Sequence, residues 1–159
     1  MGFFWTEDIL AEAVHARRRR FPTSSSKQIE NVRDRLIKVM GENKISNFPH
    51  DDSVNYPDEF DAHVHSAAVH ANIDIVVTDN VKDFSQIYSD QDDCPYDLFT
   101  ADEWLVLAAG SAPDVIDTVI KLQHDYWSSK GKPFNLVTAL KKANCQQFAQ
   151  YVATRLQRI

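Results

Sequence analysis

Cysteine is scarce in this chain: Cys94 and Cys145 are its two thiols in 159 residues. A pair so far apart makes neither a disulfide framework nor a zinc ribbon, and it fits a reduced, cytoplasmic setting. Glycine is sparse too, four in all, and there is no glycine-rich loop to cradle a nucleotide's phosphates. No apolar run approaches the ~20 residues a helix needs to cross a bilayer. The Phe3-Phe4 start is too short for a secretory signal. Positive charge is in deficit, with 17 Lys and Arg against 23 Asp and Glu, a net charge of −6. A general nucleic-acid coat protein would be basic, so that class is excluded. A nuclease is not excluded, because metal-binding acids themselves add negative charge. The same charge suits a basic protein partner.

The remaining composition is that of an ordinary folded domain, 43% hydrophobic and 25% charged. Thr6 can cap a first helix, with Glu7 and Asp8 at its positive end and Arg17 to Arg20 at its negative end. Ile9, Ala13 and Ala16 read as its inner face, with Glu12 at the border of that face. A second helix runs from about Lys27 to Met40, and Gly41 suits its stop. Residues 42–57, with two prolines, read as a loop around a possible short strand. Later, Leu98-Phe99 reads as a strand and Thr100 as the cap of a helix to Ala109. Pro113 opens a helix to about Ser128 with Val115, Val119, Leu122 and Tyr126 as its stripe. A helical hairpin turning near Asn144 ends the chain.

The most informative stretch is Asp58 to Phe84, DEFDAHVHSAAVHANIDIVVTDNVKDF. Val64, Ala67, Ala68 and Ala71 recur at i, i+3, i+4 and i+7, one stripe of a helix that begins near Asp61. Ile73 to Val77 is a β-branched run that fits a buried parallel strand. The strand's carboxyl end then carries Thr78-Asp79-Asn80, and Asp83 follows one turn later. Acids at the tip of a helix–strand unit suit a divalent cation, which prefers carboxylate oxygens and retained waters. The competing reading is that Glu12 and Asp61 merely stand near helix starts, where acids are favoured anyway. Asp83 is the preferred acid to join Asp79; Asp58 is a weaker candidate and reads first as a helix cap. His63 and His70 share a helical face but His65 points nearly opposite, so the three cannot converge on zinc; solvent or partner contacts are the simpler reading. Arg17 to Arg20 suit either RNA phosphates or a solvated helix end. Trp5, Trp104 and Trp127 read as core or interface residues.

Asp61-Ala62-His63-Val64-His65-Ser66-Ala67-Ala68 and Ile75-Val76-Val77-Thr78-Asp79-Asn80-Val81-Lys82-Asp83-Phe84 resemble paired motifs of the PIN-domain family, in its VapC-like toxin branch. Asp102-Glu103-Trp104-Leu105 and Trp5-Thr6-Glu7-Asp8-Ile9-Leu10-Ala11-Glu12 resemble further segments of that family. The resemblance implies an α/β, three-layer fold with a short parallel sheet flanked by helices. It implies a truncated PIN-like domain over residues 1–110, lacking the family's first strand and that strand's Asp. Residues 111–159 are then a C-terminal helical extension packed on it. The implied activity is cleavage of single-stranded RNA with Mg²⁺ or Mn²⁺, as the toxin of a type II toxin–antitoxin pair. Glu12, Asp61, Asp79 and Asp83 are the implied catalytic acids. Asn80 joins them as a metal ligand, standing where most members carry an Asp. Arg17, Arg18 and Arg20 are the implied RNA contacts. An antitoxin and a second copy of the chain are the implied partners. The alternative is a catalytically inactive PIN-like module that binds an antitoxin or dimerises.

Overall fold

The computed structural model describes residues 2–130 and 134–157. They form an α/β protein, rich in helix, with one short parallel sheet. The chain gathers into two compact units, one from the described residues of 1–74 and 83–96, the other from those of 75–82 and 97–159.

In the first unit, α1 (Glu7–Arg20) starts where the Thr6 side chain accepts from the Ile9 amide, and Glu7 and Asp8 complement the helix dipole. Its buried residue is Leu10, with Val14 and Arg17 half-buried at i+4 and i+7. The inner face expected at Ile9, Ala13 and Ala16 is therefore corrected by a rotation of about one residue: Ala13 and Ala16 are exposed. The larger side chain takes the buried position because it removes more apolar surface from water. Helix α2 (Ser26–Met40) opens on a capping box between Ser25 and Gln28 and closes at Gly41. Gly41 has φ 67°, a left-handed conformation that costs glycine little. Its carbonyl accepts from the Trp5 indole N–H at 3.2 Å. The expected loop around a possible short strand contains a single parallel bridge, Trp5 to Lys44. After a 3₁₀ turn at Glu59–Asp61 comes α3 (Ala62–His70). Asn72 (φ 49°) ends it, and the Ile73 amide returns to the Ala68 carbonyl. Val81–Phe84 forms the short α4, of which Asp83 and Phe84 belong to this unit.

In the second unit, β1 (Ile75–Val77) pairs in parallel with β2 (Asp97–Phe99), Val76 opposite Leu98. The run expected to be a strand from Ile73 is thus shorter at its start. Helix α5 (Ala101–Ser111) has a capping box between Thr100 and Glu103. Helix α6 (Pro113–Ser129) begins with proline, and α7 (Leu136–Lys142) turns through Asn144 (φ 60°) into α8 (Gln146–Leu156). Ala109, Ile120, Cys145, Phe148 and Val152 form the buried cluster of these helices. The stripe expected on α6 is corrected: Val115, Val119, Leu122 and Tyr126 are exposed, and Ile116 and Ile120 face the cluster instead. Helix α6 is apolar on two sides, so periodicity by itself could not choose between them.

Candidate metal centre and the adjoining cleft

Three carboxylates of the first unit converge. One oxygen from each of Asp58, Asp61 and Asp83 lies within 4.8 Å of the other two, and all three residues are half-buried. Local structure explains the meeting of the first two. The 3₁₀ turn at Glu59–Asp61 places residues i and i+3 on one side, so Asp58 and Asp61 stack. Asp58 also caps that turn, its Oδ1 accepting from the Phe60 amide at 2.9 Å. Asp83 joins from α4. The donor set is all carboxylate oxygen, which fits a hard divalent cation such as Mg²⁺ or Mn²⁺. Like charges this close repel one another, and a cation among them offsets that repulsion.

Glu12, Asp79 and Asn80 are not among these three. Glu12 is exposed on α1 and pairs with His63, whose Nε2–H donates to Glu12 Oε1 at 3.0 Å. That leaves His63 Nδ1 buried with no partner among the described residues. Asp79 and Asn80 follow β1 in the second unit; Asp79 is exposed, and the Asn80 amide donates to Thr78 Oγ1 at 3.1 Å. The Arg17 guanidinium lies over the Phe21 ring, 3.6 Å from its centroid, and Arg18 donates to the Ser24 carbonyl at 2.7 Å. Arg20 is exposed, 5.9 Å from the Phe21 centroid.

A cleft of about 550 Å³ opens beside the turn. Asp8 and Glu12 of α1, Phe48, His50, Glu59 and Phe60 contribute to its lining. Phe60, one residue before Asp61, is 83% exposed.

Beneath α3 lies a buried polar knot. His65 is fully buried, correcting the expectation of solvent or partner contacts. Its Nδ1 hydrogen-bonds the Tyr96 hydroxyl at 2.7 Å, and Asp51 Oδ2 stands 3.5 Å from Nε2. Tyr56, Tyr88 and Tyr96 surround the ring with centroids 5.6–5.7 Å away. Burial pushes the His65 pKa down, against the opposing pull of Asp51. Hydrogen bonds from Ser53 hold the Asp51 carboxyl below its usual range. The Asp51 amide donates to Ser66 Oγ at 3.0 Å, so the knot ties the loop before the 3₁₀ turn to α3.

Sequence reasoning ranks Asp58 below Asp83, as a weaker candidate and first of all a helix cap, although the i, i+3 spacing of Asp58 and Asp61 is a usable signal. The His63–Glu12 pair, 51 residues apart, and the His65–Tyr96 bond have no such signal. Comparison with known proteins shows that a family model for the PIN domain matches residues 2–82 of the 159. No curated protein and no solved structure matches the chain.

Proposed function

The chain belongs to the PIN-domain family, a family of divalent-metal-dependent nucleases, and on that premise we propose that it is an endoribonuclease acting on single-stranded RNA. The observation that carries the reading is the convergence of Asp58, Asp61 and Asp83 within 4.8 Å. These three side chains would hold a Mg²⁺ or Mn²⁺ ion. When bound, such an ion acidifies water and offsets the charge that builds on a phosphodiester in the transition state. The chain's own contribution is to gather the carboxylates. The 3₁₀ turn aims two of them together, and α4 supplies the third.

Glu12, Asp79 and Asn80 are proposed as further members of the site on the family pattern. For Glu12, an exposed carboxylate–histidine pair is worth no more than about 1 kcal/mol, so its bond to His63 does not commit it. Arg17, Arg18 and Arg20 are the proposed phosphate contacts. The bonds that Arg17 and Arg18 make to Phe21 and Ser24 pre-position the helix end. The helices after residue 110 are proposed to be an addition to the PIN-like domain, since the family match ends at 82. A role as the toxin of a type II pair, with an antitoxin or a second copy as partner, rests on the resemblance of segments 61–68 and 75–84.

The test is Asp61→Asn assayed on single-stranded RNA with Mn²⁺. Loss of one metal-gathering carboxylate is expected to lower kcat/KM by about a hundredfold or more, in line with the effect of removing a transition-state charge partner. Cleavage by the Asn variant at the wild-type rate would remove the assignment. Expression of the wild-type chain in a bacterial host is expected to arrest growth, and Asp61→Asn is expected not to.

A further inference from the structure

The cleft beside the three acids has a lining that the metal reading does not use. Phe60 presents its ring to solvent at 83% exposure while forming part of the wall, and Phe48 adds a second aromatic. Phe60 sits between Glu59 and Asp61 in the same 3₁₀ turn. The exposed ring and one of the three converging acids are thus carried by neighbouring residues of a single turn. The polar lining holds three acids, Asp8, Glu12 and Glu59, against His50 and His63, with Ser66 adding a hydroxyl. Glu12 is paired with His63, which leaves Asp8 and Glu59 as the unshared carboxylates among the described residues of this wall. Phosphate is repelled by such a wall. An uncharged heterocycle that stacks on an aromatic face and offers N–H donors to carboxylates is not. Single-stranded nucleic acids are read in this way, by splayed bases that stack on aromatic side chains and bond along their Watson–Crick edge. The volume, about 550 Å³, lies within the range of small-molecule sites.

We propose that this cleft is a nucleobase subsite that takes one unstacked guanine of the strand presented to the acids, with Phe60 as the stacking surface and Glu59 as the acceptor that selects it. Guanine presents adjacent ring N–H and amino donors, which match the two oxygens of one carboxylate. Uracil presents one donor between two acceptors, and those acceptors meet the acidic wall unfavourably. The proposal rests on the nuclease reading for the strand that carries the base, but not for binding of the base itself.

The experiment uses the full chain with Trp placed at the wall, Phe60→Trp, titrated with guanosine, adenosine and uridine monophosphates, and with ribose 5-phosphate as the baseless control. Stacking on the new indole is expected to quench its fluorescence with guanosine monophosphate far more than with uridine monophosphate, and not with ribose 5-phosphate. Adding Glu59→Gln is expected to weaken guanosine binding about tenfold, leaving adenosine binding little changed. In cleavage assays, Phe60→Ala is expected to raise KM about tenfold for an oligonucleotide with one guanine, and less for a uridine-only strand. Phe60 is exposed, so an unchanged melting curve checks that the variant folds. Equal quenching by all four compounds, or none by any, overturns the subsite. RNA cleavage indifferent to Phe60 and to guanine also overturns it while leaving the nuclease standing. Guanosine-selective quenching that survives Asp61→Asn, alongside no RNA cleavage by the wild type, keeps the subsite and removes the nuclease.

Discussion

His65 shows how far a single side chain can depart from what its neighbours in the chain suggest. It lies on an alanine-rich helix among other histidines, yet it is fully buried beside Tyr96 and Asp51. A ring kept neutral by burial makes folding depend on pH in a definite direction. Because its pKa lies below the ordinary 6.5 in the folded chain, the unfolded chain takes up more protons as pH falls through that value. The stability His65 contributes is complete above about pH 6.5, declines below it, and levels off below the folded pKa. Asp51 adds a second, more acidic window. Its pKa is lowered from 3.8, so its contribution is present above that value and is lost as pH falls through the folded pKa. Melting temperature is expected to drop from about pH 7.5 to about pH 5, and His65→Gln is expected to flatten that slope. A variant with the same slope as wild type would show that His65 does not titrate in this way. The aromatic neighbours of His65 lie 9 to 31 positions away in the chain, which is why no local pattern announced the knot.

Among the elements, α8 illustrates a cap supplied from a distance. Its own N-cap residue, Cys145, makes no side-chain cap bond. Asp102, buried near the start of α5, accepts instead from the Gln147 and Phe148 amides at 3.0 and 2.8 Å. Helix starts leave amide donors unsatisfied, and a carboxylate answers both the donors and the dipole. Removing it with Asp102→Ala leaves two amides beside the buried cluster that contains Phe148. The expected cost is about 1.5–3 kcal/mol, read as a lower denaturation midpoint. On α6, by contrast, Val119→Gln is expected to change stability by no more than about 0.5 kcal/mol, because Val119 is 47% exposed. The same denaturation experiment separates these two outcomes. Element boundaries were largely legible in the residues: Thr6, Thr100 and Pro113 open helices as their chemistry dictates, and Gly41 closes one. The buried faces of α1 and α6 were not, since apolar residues lie on more than one side of each helix.

For the molecule in full, a bound ion should be visible as stability without any appeal to turnover. A ligand that binds the folded chain at a hundred times its Kd adds about 2.7 kcal/mol. In a chain of this size, each kcal/mol raises Tm by about 2–4 °C. Saturating Mn²⁺ is therefore expected to raise Tm by roughly 5–10 °C, and Asp61→Asn is expected to abolish most of that rise. A shift equal in both proteins would place the ion elsewhere. The amino-acid order determined the family motifs, the capped helices, the β-branched strand and the acid-bearing turn, because each is a matter of spacing within a few residues. It also set the acid surplus of −6. Folding decided which acids meet. Asp83 reaches Asp58 and Asp61 from α4, across more than twenty residues of intervening chain, while Glu12 turns to His63. Folding also decided that Phe60 lines a cleft and that His65 is sealed from water. Such meetings depend on how elements pack, and packing is set by many weak contacts summed over distant residues, which no short window of sequence contains.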